Sequence, residues 1–464
     1  MIEWKTRKEI PQWFQDAKFG LFFHWGPYTV PEHTSEWYSR QMYDKDHADN
    51  AYHKEKYGKL TEFGYKDFIP LFRGEHFDPA AWADLVELSG ARYAGPVSEH
   101  ADNFSLWDSQ LNPVNSVQMG PKRDVVGECF AEFRKRGIKC LATFHHQWQW
   151  GWFMGTDRDS DVYDPANSMF YGPIVPAEAG ERVPGVPPTE EFYRMWRDKV
   201  LEVVDKYDPD AVYFDSRTCL IPDSYKQEIC QAVYKKEDTV ITYKDVDFPK
   251  GTGVEDIEVR RFLDGKDFYW QEDDKLEVQF TWSYIQGVTY KPSGRIIQEL
   301  CDIVAKNGNL LLNVGPRADG TFPEEAVEAL RGVGDWLRVN GEAIYGSRPC
   351  PVCQEGPTDI KENGYFIHNE ESGQEFVLEH TVTDFTPEDV RYTRKGDAVY
   401  AIVMGRPETG SVLLTALEEN NKNFSEISML GSGQKILWER EEVGVRIYFP
   451  KEGGHESANV FKVR

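Results

Sequence analysis

The stretch DPDAVYFDS, residues 208–216, sets the reading of the whole chain. A proline-bearing turn leads into Ala211, Val212, Tyr213 and Phe214, all β-prone or small and apolar, and the run stops at Asp215. Four apolar residues bounded by turn signals have the pattern of a strand buried on both faces. An amphipathic helical pattern precedes it, FYRMWRDKVLEVVDKY (192–207), and another follows, SYKQEICQAVYKK (224–236).

Outward from there the unit repeats. Strand-like runs occur at 20–26 (GLFFHWG), 91–100 (ARYAGPVSEH), 138–146 (IKCLATFHH), 211–216, 239–245 (TVITYKD), 256–258 (DIE), 278–284 (VQFTWSY) and 309–316 (NLLLNVGP). Further amphipathic helices lie between several of them, as in 79–90, 124–137 and 293–308. Buried strands alternating with helices imply a parallel sheet, and eight such units imply a (β/α)₈ barrel, irregular at the short sixth strand. After residue 348 the texture changes to apolar–polar alternation broken by Gly and Asn, as in DAVYAIVMG and VGVRIYFP, the pattern of an antiparallel β-sandwich. The expected division is therefore a catalytic barrel over 1–348 and a sandwich over 349–464. Two insertions, 38–75 and 151–188, are long for a barrel and fall where loops would roof an active site.

Composition narrows the partners. A net charge of −25 argues against nucleic acid and anionic membranes. No apolar stretch is long enough to span a bilayer. The start, MIEWKTRKEIPQWF, has no apolar signal core, so a cytoplasmic location is expected, or a secreted or periplasmic one if a leader has been removed. Seven cysteines, an odd number scattered through apolar segments, suit reduced thiols, and the single CPVC at 350–353 reads as a structural turn. Aromatic residues make up 14% of the chain, which suits stacking on sugars as well as core packing.

Active sites of such barrels lie at the carboxyl ends of the strands. Those ends carry His24 and Trp25, Glu99 and His100, His145 and His146, Asp215, Lys244 and Asp245, Glu258, then Trp282 and Tyr284. A lone histidine is more often a satisfied core group, and Trp25 and Trp282 read equally well as barrel core. The convergence of so many polar and aromatic ends points to a pocket. Metal-dependent hydrolysis is disfavoured: HExxH is absent, and adjacent His145 and His146 point to opposite faces of a strand. Glycoside hydrolysis needs two carboxyl groups about 5–5.5 Å apart for a retaining reaction. Asp215 and Glu258, at the ends of the fourth and sixth strands, are the pair, with Glu272 or Asp273 as the rival for the second role and a solvated acidic turn as the plainer reading of 272–274.

At this point the chain resembles the α-L-fucosidases of glycoside hydrolase family 29 over nearly its whole length. The resemblance is carried by AKFGLFFHWGPYTVPEHTSEWYSRQMY (17–43), SEHADNFSLWDS (98–109), GPKRDVVGE (120–128), DAVYFDS (210–216) and the long segment 307–349. It implies a (β/α)₈-like catalytic domain, a C-terminal β-sandwich, no cofactor or metal, and exo-hydrolysis of terminal α-L-fucose from fucosylated glycans with retention. Carried over by position, Asp215 matches the nucleophile and Glu258 the acid/base, while His24, Glu36, Trp37 and His100 match sugar-binding positions; the third-strand segment TFHHQWQW departs from the family's pattern, and His146 within it is expected to help fix the sugar. Glu99 stands where the family's His-His motif has its first His, Lys244 where many members carry Arg, and Trp282 completes the expected pocket. These departures leave a different L-galactose-configured sugar, or an inactive carbohydrate-binding homologue, as the alternatives.

Overall fold

The computed structural model describes residues 9–181, 185–244, 247–360, 366–368, 375–378 and 385–464; Asp245 lies outside them. In chain order the first strands are β1 (Phe19–Phe23), β2 (Tyr93–Glu99), β3 (Lys139–Phe144), β4 (Ala211–Phe214), β5 (Val240–Lys244) and β6 (Val254–Asp256). They are followed by β7 (Arg260–Phe262), β8 (Trp270–Lys275) and β9 (Gly308–Asn313). All but β7 close into one parallel barrel in the order β1-β2-β3-β4-β5-β6-β8-β9. Side chains alternate as the pleat demands. Phe22, Tyr93, Val97, Leu141, Tyr213 and Leu311 fill the interior, whereas Leu21, Ala142, Val212, Phe214, Ile241 and Leu312 pack against the helices.

The helices follow from periodicity and caps. Pro79–Ser89 begins at Asp78, whose carboxylate accepts from the Ala80 N–H, and Glu190–Tyr207 begins at Thr189, whose hydroxyl accepts from Phe192. Val125–Lys135, Asp223–Val233, Ser293–Ala305 and Glu324–Asn340 complete the outer layer. No helix follows β6, which agrees with the irregular sixth unit. No described helix is long and apolar enough to cross a membrane.

The seventh barrel strand is not 278–284, which forms bends, but WQEDDK at 270–275. Those six residues are all buried. Alternation still operates, with opposite charges in place of apolar contacts. Gln271 and Asp273 point into the barrel, where Tyr93 donates to Gln271 at 2.9 Å and the Lys244 ammonium donates to Asp273 at 2.5 Å. Glu272 and Asp274 point outward to Arg261 and Lys291. Residues 272–274 are thus no solvated turn.

The C-terminal part of the chain, from residue 348, forms antiparallel sheets. A five-stranded sheet is built from 348–355, 390–395, 398–403, 459–463 and 427–429, and a three-stranded one from 411–414, 444–448 and 437–441. Tyr392, Ala401, Val403 and Phe461 of the first share a core with Val412, Leu414, Val445 and Ile447 of the second. Cys350 joins that core, and all seven cysteines are free thiols. A third small sheet crosses to the barrel side: β7 pairs with 375–378, which pairs with 366–368. The two insertions pack on each other through a cluster that includes Tyr38, Met42, Tyr43, Phe68, Trp152 and Phe153.

Candidate active site

At the carboxyl end of the barrel, three histidines form one wall. The His24 ring lies 5.7 Å from that of His100 and 5.1 Å from that of His145, and His100 stacks on His145 at 5.1 Å. Asn313, at the end of β9, fixes the first of them. Its Nδ2 donates to the Trp282 carbonyl at 2.6 Å, so its Oδ1 is turned to accept from the His24 backbone N–H at 3.2 Å and from Nδ1 at 2.7 Å. The proton therefore sits on Nδ1 and leaves Nε2 as an acceptor. Burial lowers His24 to about 3, and burial together with the neighbouring rings holds His100 and His145 well below the usual range. All three are neutral at physiological pH. Nδ1 of His100, Nδ1 of His145 and Nε1 of Trp148 are buried with no partner among the described residues. Buried polar atoms are normally paired, so this wall is built for a hydroxyl-rich ligand.

The carboxyl groups stand opposite. Asp215 leaves β4 half-buried, its backbone N–H donating to the Phe144 carbonyl at 3.1 Å. Burial and the charge of Glu258 both push its carboxyl up, while the Lys244 ammonium opposes them. Lys244, buried at the end of β5, lies 3.2 Å from Glu258, 3.4 Å from Asp256 and 2.5 Å from Asp273. Burial works against its charge, but those carboxylates and Asp215 outweigh it and keep it protonated. Beneath, Asp256 and Asp273 are hydrogen-bonded to each other. Burial and Asp256 raise Asp273, whereas Lys244 and the bond from Asp273 hold Asp256 down against its own burial.

The third side is aromatic. The Trp282 ring is 5.5 Å from His24 and 5.9 Å from Phe22, and half-buried Trp37 is 4.8 Å from Trp152 and 5.5 Å from Trp148. Glu36 joins the rim segments: its Oε2 accepts from the N–H groups of Trp282 at 2.9 Å and Ser283 at 3.3 Å. Burial pushes its carboxyl up to about 7 against the pull of those donors, with the charge of Glu258 adding to the rise. Arg217, two residues after Asp215, secures the long insertion. Its guanidinium donates to the carbonyls of Trp148 at 3.0 Å, Trp150 at 3.1 Å, Ala179 at 2.6 Å and Glu181 at 2.8 Å.

Of the residues expected from sequence, Asp215, Glu258, His24, His100, Lys244 and Trp282 converge here, with Glu36 and Trp37 on the rim. Two do not. Glu99 is wholly buried outside the pocket, with Lys199 at 2.6 Å on one oxygen and Ser105 at 2.5 Å on the other, because helix 190–207 brings a lysine against it. His146 also faces that helix, donating from Nε2 to the Trp196 carbonyl at 3.0 Å. His145 takes the pocket position. Trp25 packs among Phe72, Phe77 and Trp82 and is core. Sequence reasoning missed Asn313, Arg217 and Asp256 as parts of the site, and weighed Asp273 only as a rival proton donor; Asn313, at the end of the eighth strand, was the one whose position could have betrayed it. Among the described residues no group of three His, Cys, Asp or Glu side chains could hold a metal ion.

Comparison with known proteins gives a consistent picture. A family model described as alpha-L-fucosidase matches residues 2–342, and one for the alpha-L-fucosidase C-terminal domain matches 383–464. The chain is 29% identical to the tissue alpha-L-fucosidase of Rattus norvegicus, over 96% of this chain and 87% of that protein. It is 27% identical to the alpha-L-fucosidase of Dictyostelium discoideum, over 96% and 87%. The crystal structure of Thermotoga maritima alpha-fucosidase in complex with fucose superposes with a TM-score of 0.73 at 26% identity, covering 98% of this chain and 97% of that one.

Proposed function

The chain belongs to the α-L-fucosidase family, and on that premise we propose that it removes terminal α-L-fucose from fucosylated glycans by double displacement, with retention at the anomeric carbon. The observation that carries this reading is the meeting of Asp215 and Glu258 beside one buried ammonium, Lys244, across from a wall of neutral histidines.

In this reading Asp215 attacks the anomeric carbon, and the C–O bond to the aglycone breaks as Glu258 delivers a proton to the departing oxygen. Glu258 then takes a proton from water, which attacks the fucosyl–Asp215 ester and releases fucose. Lys244 favours the ionised form of Asp215, which the nucleophile requires. Nε2 of His24 accepts a sugar hydroxyl, and the unpaired ring nitrogens of His100 and His145 complete the contacts. Trp282 offers the apolar surface that a 6-deoxy sugar needs for its methyl group.

The test is hydrolysis of an aryl α-L-fucoside by wild type, Asp215→Ala and Glu258→Ala, with azide added to the variants. Retention requires β-fucosyl azide from the first variant and α-fucosyl azide from the second. A wild type inert towards aryl α-L-fucosides would overturn the substrate assignment, and a Glu258→Ala variant with wild-type kinetics would remove Glu258 from its role.

A further inference from the structure

Glu258 stands on a strained turn. Its φ is +27° and that of Val259 is +45°, so two consecutive non-glycine residues, one of them β-branched, occupy the left-handed region. Such conformations persist only where the surroundings hold them, and they gather at functional sites. The barrel holds one side: the Glu258 N–H donates to Asp256 at 3.1 Å, and the Val259 N–H donates to the Asp273 carbonyl at 2.9 Å.

The other side is held from outside the barrel. Directly after the turn, β7 pairs antiparallel with 375–378, with Arg260 opposite Leu378, Arg261 opposite Val377 and Phe262 opposite Phe376. Arg261 is fully buried, with Nε 3.2 Å from Glu272 and Nη1 3.4 Å from Asp302. Asp302 in turn lies 2.5 Å from Arg391, which belongs to strand 390–395 of the C-terminal sandwich. Gln354 of that sandwich donates to the Leu263 carbonyl at 2.9 Å, and Lys306 donates to that of Phe262 at 2.9 Å. Burial opposes the charge of Asp302, but Lys306, Arg391 and Arg261 outweigh it and hold its carboxyl below the usual range, so the cluster stays ionised.

We propose that the C-terminal domain is a positioning element of the reaction: through Arg391, Asp302 and Arg261, and through strand 375–378, it holds the Glu258–Val259 turn in the conformation that presents the Glu258 carboxyl to the glycosidic oxygen. Arg391 is thus a positioning residue on the sandwich, acting through Glu258. The inference rests on Glu258 being the proton donor.

The test separates proton donation from folding by varying the leaving group. A fucoside with a strongly acidic phenol departs without a proton; one with a weakly acidic alcohol does not. The ratio of kcat/KM for the two substrates does not depend on how much enzyme is folded. With the full-length chain, Arg391→Met is expected to cut kcat/KM for the poor leaving group by on the order of 10²-fold while leaving the good one within a few-fold. Arg391→Lys, which keeps the charge and loses the planar fork, is expected to move the ratio in the same direction by less. Glu258→Ala is the reference. If it shows the leaving-group dependence and neither Arg391 variant moves the ratio, the positioning role is overturned and the proton-donor assignment stands. If Glu258→Ala itself shows no such dependence, the assignment of Glu258 is overturned, and the inference with it.

Discussion

His145 and His146 are neighbours in sequence and serve different parts of the molecule. The His145 ring sits 5.1 Å from those of His24 and His100, while His146 donates to the Trp196 carbonyl and stacks on the Trp196 ring at 6.0 Å. Substitution should separate them. His145→Phe is expected to lower kcat/KM on an aryl fucoside by about tenfold to a hundredfold with little change in melting temperature. His146→Phe is expected to leave kcat/KM per folded molecule within about twofold and to cost about 0.5–1.5 kcal/mol of stability, from the lost hydrogen bond to the Trp196 carbonyl, which keeps its helical N–H partner. Paired steady-state kinetics and thermal melts decide it; the reverse pattern would mean the rings had been assigned to the wrong faces.

Lys244 and Glu258 pull the Asp215 carboxyl in opposite directions. The ascending limb of the kcat/KM–pH profile reports ionisation of the nucleophile in the free enzyme. Removing the ammonium in Lys244→Met lets that pKa rise, so the limb should move to higher pH. Glu258→Gln is a neutral isostere of the protonated proton donor, so it should leave the limb close to its wild-type position, read on a fucoside whose phenol leaves without a proton. A limb unmoved in Lys244→Met would show that it belongs to another group.

Arg217 gives four hydrogen bonds to carbonyls of the segment 148–181 and, among the described residues, no carboxylate accepts from it. Arg217→Met is expected to raise KM by about tenfold or more and to open the insertion to limited proteolysis. Arg217→Lys should rescue poorly, because an ammonium lacks the planar fork that spans four acceptors. Proteolysis at the wild-type rate in both variants would show that the insertion is held by packing alone.

The ion pairs flanking β8 predict a stability change that depends on context. Lys291 serves both Asp274 and Glu299. Lys291→Met is expected to destabilise by about 3–5 kcal/mol, since it takes the ammonium from the buried Asp274 carboxylate, while Glu299 keeps Arg295 at 2.7 Å. The double variant Lys291→Met/Asp274→Leu should recover much of that loss. Urea midpoints of the two variants measure the difference, and a double variant no better than the single one would place the cost in packing.

Most of the barrel is legible in the sequence because its strands are apolar on both faces and helices punctuate them, as around Ala211–Phe214. The strand Trp270–Lys275 is not, because the groups that neutralise its charges come from Lys244, Arg261 and Lys291, and no local window contains them. The same limit hides the fate of Glu99, whose partner Lys199 lies a hundred residues on. With His145 and His146, alternation states that the rings diverge, but which one turns inward depends on how the chain leaves β3 at Phe144, where the His145 backbone already has φ −121° and ψ 0°. The left-handed turn at Glu258 carries no glycine to announce it.

The charged character of β8 also bears on how the chain reaches its folded state. A strand made of Val and Ile can seek any exposed sheet edge, including that of another molecule. WQEDDK is held back: away from its counter-ions it holds three carboxylates that prefer water. It gains nothing by entering the barrel until β5 has brought Lys244 and β7 has brought Arg261. During synthesis β8 therefore joins the growing sheet by charge recognition within the chain, before the apolar β9 pairs with it and with β1 to close the barrel.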